Sequence, residues 1–179
     1  MKRFLAVVTS VAALACFAMA EDGGRGNNNS NNNGNNGGFE GQLIGSSPNE
    51  HVAGVASGGA PWVVGQSEFN VSSNGRVQVQ IRGLLLTGTG TTGPVTMVDA
   101  SVACGDVVAG TTGAVMLTTL GNASINDMVT LPSPCIAPTL LIRVAATTTG
   151  PVTGGPFIAI NGIVAGNNNN NNNSQLGDH

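Results

Sequence analysis

The chain has 179 residues, of which 8% are charged and 3% aromatic, with 27 glycines, no tyrosine and a net charge of −3. Ordinary globular chains are about 25% charged, so solubility here falls to Asn, Thr, Ser and Gln. With Lys2 and Arg3 set aside as part of a leader, four arginines face nine acids, a net −5 without a lysine, and a polyanion needs clustered Lys and Arg, which excludes nucleic acid as a partner.

Lys2 and Arg3 precede an apolar run from Phe4 to Ala15, and Ala18-Met19-Ala20 stands before Glu21. A basic start, a short apolar stretch and an A-x-A site predict a signal peptide over residues 1–20. The run falls short of the roughly 20 apolar residues a spanning helix needs, so the expected destination is extracellular, with no membrane span. The alternative is a lipoprotein signal in which Cys16 carries the lipid and anchors the protein in the cell envelope.

Residues 21–60 read as an Asn/Gly-rich disordered linker, because the Asn runs at 27–29, 31–33 and 35–36 bury no apolar surface to offset chain entropy. Leu43-Ile44 and Val52 to Ala56 offer at most a short edge strand. The same composition returns at 167–179, a second disordered tail.

The compact domain is expected over residues 61–166. Trp62-Val63-Val64 opens it, and Glu68 to Val71 leads through Ser72-Ser73-Asn74-Gly75 into Arg76 to Leu86. Val77, Val79 and Ile81 alternate with Gln78, Gln80 and Arg82, the period of a strand with one buried face. Asn-Gly accepts the positive φ of a tight hairpin, so these runs form a hairpin whose second strand is central to the sheet. Further strands are expected at Val95 to Cys104, Ala114 to Leu120, Ala123 to Leu131, Thr139 to Ala146 and Phe157 to Val164. Short strands with Gly, Pro, Asn and Thr between them predict an all-β chain, a single antiparallel β-sandwich of Ig-like or related Greek-key type. Trp62 is the large aromatic assigned to the core, the rest being Leu, Ile and Val with Met97, Met116 or Met128.

Cys104 and Cys135 form an even pair once Cys16 leaves, and an exported protein is where such pairs oxidise. Cys135 sits in Pro132-Ser133-Pro134-Cys135-Ile136-Ala137-Pro138, so the bridge pins a proline-stiffened connection against the sheet. One sextet repeats: Thr91-Thr92-Gly93-Pro94-Val95-Thr96 returns as Thr148-Thr149-Gly150-Pro151-Val152-Thr153. Thr91, Thr92, Gly93 and Pro94 with Thr148, Thr149, Gly150 and Pro151 are therefore candidate contact loops, the plainer account being shared turn chemistry.

Side-chain catalysis needs a proton shuttle, a nucleophile or a metal. His51 lies in a glycine-rich approach and His179 is terminal; bridged cysteines offer no thiolate. Of the carboxylates, Asp99 falls opposite Val98, Ala100 and Val102 and is expected in solvent, Asp106 in a turn, and Asp127 at a bulge or strand end. Neither zinc spacing, a calcium loop nor a dinucleotide fingerprint is present, so no catalytic residue, metal ligand or cofactor is assigned.

Pro48 to Leu86, a polar hairpin turn leading into a strand that ends Arg82-Gly83-Leu84, resembles the opening of CHRD-type secreted β domains. That family's histidine motif is missing, and no residue role comes across. The functional expectation is a non-catalytic secreted or cell-surface module with a structural or adhesive role and an unknown extracellular partner. The alternatives are a small-ligand or carbohydrate-binding domain using the repeated loops and Trp62, or a hydrolase using Glu68, Asp99, Asp106 or Asp127. An edge strand near Trp62 or Phe157 would permit self-association.

Overall fold

A computed structural model describes residues 37–162. The expected signal peptide, Cys16, the Asn runs and the C-terminal tail lie outside the described residues. Within them the fold is all-β, with no helix.

The strands are β1 (Gly38–Gly45), β2 (His51–Val52), β3 (Val55–Ala56), β4 (Trp62–Val63), β5 (Gln66–Ser72), β6 (Arg76–Arg82) and β7 (Leu85–Leu86), followed by β8 (Val95–Cys104) and β9 (Val107–Thr111). The chain continues through β10 (Val115–Met116), β11 (Ala123–Met128), β12 (Pro138–Thr147), β13 (Gly150–Pro151) and β14 (Phe157–Gly162). Ten of them make one antiparallel sheet in the order β10-β8-β12-β14-β1-β5-β6-β11, with β9 beside β8 and β13 beside β12. β2 with β3 and β4 with β7 form two small side sheets.

The sheet curls because β1 serves both halves. Its first residues pair with β5, Gly38 opposite Ser72 and Gly41 opposite Phe69. Its last residues pair with β14, Gln42 opposite Gly162 and Gly45 opposite Ala159. One half brings inward Phe69, Val71, Val77, Val79, Ile81 and Ile125; the other brings Val98, Ala100, Val102, Leu140, Ile142, Val144 and Ile158, all in one buried cluster. Each such Val, Leu, Ile or Phe side chain stabilises the fold by about 1.5–3 kcal/mol on removal from water. β6 shows the cause most directly, its inward Val77, Val79 and Ile81 buried and its Arg and Gln positions exposed.

The hairpin at Ser72–Gly75 forms as expected. The Gly75 N–H donates to the Ser72 carbonyl at 2.9 Å, and Gly75 takes φ 88. The strand that follows is not central, however: β6 lies one place from the β11 end of the order, and β14 and β1 occupy the middle. It also stops at Arg82, so that Leu85–Leu86 leaves to pair with Trp62–Val63.

Three further differences from the sequence reading have physical reasons. The sheet includes Gly38–Gly45, ahead of the Pro61 boundary, and this stretch is an inner strand where at most an edge strand was expected. Leu43 is its single buried hydrophobic residue, and Gly45 lies so close to the Trp62 carbonyl that a Cβ would overlap it. β9 was not anticipated, since Val107–Thr111 lacks a clean alternation of buried and exposed positions. Methionine does not fill the core: Met97 is half-buried, Met116 73% exposed and Met128 58%, whereas Phe69 and Phe157 are buried as Trp62 is.

Strand directions define two ends. At one, here the base, lie the start of β1, the β5–β6 turn, the end of β8 and the start of β12. The opposite rim gathers the end of β6, the start of β8 and the end of β12. Along the side runs a seam where β11 meets the β9–β10 region without a strand ladder. Gly110 permits this approach, since a Cβ there would come within 2.8 Å of Val129 Cβ.

Candidate functional site

The rim carries the repeated loops. Val95 at the start of β8 is registered with Thr147 at the end of β12, so the two copies are neighbours, and the Thr148 N–H donates to the Pro94 carbonyl at 2.7 Å. They do not share a conformation. The first leads into β8 with Gly93 at φ 56, the second leaves β12 to form β13 with Gly150 at φ 135. Thr92 is buried while its counterpart Thr149 is exposed. Thr91, Gly93, Pro94, Thr148, Thr149 and Pro151 face solvent. Threonine hydroxyls bridge within each region, Thr89 to Thr91 at 2.9 Å and Thr147 to Thr149 at 2.8 Å. The adjacency had one signal in the sequence: one copy precedes a strand and the other follows one, and those ends meet when the two strands pair antiparallel.

Leu84 and Trp62 close the core beneath this rim. Leu84 is fully buried, its N–H donating to the Gly121 carbonyl at 2.9 Å. Trp62 is only 8% exposed, so it is a packing residue and offers no platform for a sugar. Phe157 is likewise buried and opens β14, which has β12 and β1 on its two sides, so no free edge exists there.

The four candidate carboxylates occupy separate settings. Glu68 is exposed on β5 opposite Gln80, with three strands between β5 and β8 in the sheet order. Asp106 is exposed in the two-residue turn joining β8 to β9. Asp99 is not simply in solvent: it is registered with Arg143 on β12, and its Oδ1 is buried with no hydrogen-bond partner. Burial pushes its carboxyl above the ordinary value, while Arg143 and the Ser101 hydroxyl draw it back. Arg143 is held by its Nε–H donating to the Gly155 carbonyl at 2.8 Å.

Of the two expected settings, bulge or strand end, Asp127 takes the second, next to last in β11. It lies in regular register with Val77 and accepts the Gly113 N–H at 2.7 Å and its own neighbour Met128 N–H at 2.8 Å. These two bonds hold the carboxyl below the ordinary value. The polar residue that interrupts the apolar alternation thus fastens the seam. His51 is exposed on β2, and no group of three or more His, Cys, Asp or Glu converges among the described residues.

At the base, Cys104 and Cys135 are disulfide-bonded with Cα atoms 5.0 Å apart. The Gly105 N–H donates to the Ile136 carbonyl at 2.7 Å, holding the proline-rich connection onto the β8–β9 turn. Beside this connection is a cavity of about 300 Å³, walled by Phe39, Val71, Leu131, Pro132 and Pro138. A shallower one of about 440 Å³ lies across the Leu131-Pro132 ridge, against Val107 and Ala109. The sequence pointed to the bridge but not to these hollows, because they form between residues far apart in the chain.

No family model, curated protein or solved structure matches this chain. The resemblance of Pro48 to Leu86 to CHRD-type domains is therefore not borne out by a family model. No helix among the described residues is long and apolar enough to cross a membrane.

Proposed function

We propose that this chain is a non-catalytic secreted or cell-surface module with a structural or adhesive role, meeting its partner through the rim loops Thr91–Pro94 and Thr148–Pro151. The observation that carries the reading is polarity of the fold. β1 enters the sheet and β14 leaves it toward the base, and the paired loops sit at the opposite end. A module joined to its surroundings through the base would present the rim outward. Loops on a rigid sheet are the usual place for recognition, and exposed threonines supply hydroxyl donors and acceptors without the desolvation cost of a charge.

Export and oxidation fit together in this reading, since a disulfide persists outside the reducing cytosol. The curled sheet is read further as a two-layer antiparallel sandwich, β1, β5, β6 and β11 facing β8, β12 and β14. A hydrolase is the weaker reading, because Asp127 is committed to the seam and Asp99 faces Arg143.

Beads coated with the purified protein test the proposal on the surface of the producing cells. Retention should fall at least tenfold when the exposed Thr91, Thr148 and Thr149 are all replaced by alanine, with Tm little changed. Equal retention of the two proteins, or saturable turnover of glycoside or ester substrates, would sink it.

A further inference from the structure

We propose that the base cavity is a binding site for a small, uncharged, largely apolar molecule bearing one or two hydroxyl or carbonyl groups. The proposal goes beyond the rim reading and concerns the other end of the protein.

The first argument is the chemistry of the wall. Phe39, Leu131 and the flanking prolines give it carbon surface, Ser73 and Ser133 give it hydroxyls, and no ionisable side chain lines it. A charged group taken from water into such a wall would lose its hydration with no partner in return. An apolar body gains on the order of 25 cal/mol for each Å² removed from water, and a hydroxyl or carbonyl can bond to serine. Selection against charge is therefore built into the lining.

The second argument is rigidity. One wall belongs to the β1–β5 ladder, where Phe39 is registered with Val71. The other belongs to the connection that the Cys104–Cys135 bridge and the Gly105 to Ile136 hydrogen bond tie to β8. Prolines 132, 134 and 138 restrict that connection further. A pocket whose two walls are already fixed loses little conformational freedom when filled. Its volume of about 300 Å³ is at the lower end of the roughly 300–1,000 Å³ of small-molecule sites, which suits one or two fused rings or a short branched chain.

The test is an NMR titration of the full ¹⁵N-labelled protein with 2-naphthol, and with 2-naphthalenesulfonate as its charged counterpart. Saturable shifts confined to the amides of residues 71–73, 131 and 133, with Kd of about 1 mM or tighter, are expected for the naphthol. The sulfonate should bind at least tenfold more weakly. Gly37→Trp fills the cavity from a position where a Cβ meets nothing within 4 Å, and Ser133→Trp does so from an exposed loop site. Both variants should abolish the shifts and leave the rim amides in place, while the rim-loop replacement leaves naphthol binding intact. Shifts absent, scattered over the surface, equal for the sulfonate or unaffected by both Trp variants would overturn the proposal.

Discussion

The two ends of this sheet are built on different principles. The base is fixed covalently: a disulfide, three prolines and a main-chain bond hold one connection against β8, and the rigid hollow is found there. The rim is held by burial and single hydrogen bonds, with Leu84 and Trp62 beneath and loops with exposed threonines above. The contrast teaches where sequence change is tolerated. Loss of the bridge at the base threatens the fold, whereas the outermost rim residues can vary with little effect on what lies below.

Breaking the base covalently should have the largest effect. Cys104→Ala with Cys135→Ala opens a loop of sequence separation 31, which the chain-entropy estimate values at about 4 kcal/mol, read as a fall in the denaturant midpoint. Leu84→Ala tests the rim plug: a fully buried leucine truncated to alanine costs about 3 kcal/mol, nearly matching the base. If Leu84→Ala costs under about 1 kcal/mol, the core does not extend to the rim as described.

The seam between the ends responds to pH. Because its two backbone bonds hold Asp127 low, the unfolded chain keeps this proton to higher pH than the native state does. The stability from Asp127 is complete above the unfolded value of about 3.9 and is lost as pH falls through the depressed native value. Asp127→Asn should lower Tm at pH 7, by less than Leu84→Ala, and change nothing once the carboxyl is protonated. Asp99 has the opposite sign. Its native value is raised, so stability declines as pH rises from about 3.9 through that raised value, and Asp99→Asn should flatten that decline in a series of melts. The smallest effect belongs to the loops, where Thr91→Ala with Thr148→Ala should change stability by under about 0.5 kcal/mol while weakening bead retention.

Much of the scaffold was legible where a single physical signal sufficed. The alternation at Val77, Val79 and Ile81 gave its strand and buried face, Asn74-Gly75 gave the turn, and the even cysteine pair gave the bridge. Strand order was not legible, because pairing in a curled sheet is set by residues distant in the chain. Gly38–Gly45 shows why: it changes partners halfway, so neither of its faces carries a uniform pattern. The setting of Asp99 and the partner of Asp127 were hidden for a related reason. Both roles depend on partners across a strand pair or a seam, Arg143 for one and Gly113 for the other. The repeated loops were visible as text, but their adjacency came only with the β8–β12 register.

The position of β1 beside β14 also governs how the protein would behave under load. Force entering at Gly37 and leaving at Gly162 reaches the β1–β5 and β1–β14 ladders at their ends, and both are antiparallel. Their bonds lie across the strands, so a pull peels them one pair after another instead of shearing a whole row at once. The inner strands at the middle of the sheet would be the first to yield, with the β8–β12 pair and its disulfide outside the line of tension. Such an arrangement gives way gradually under tension and leaves the crosslinked half intact to re-form.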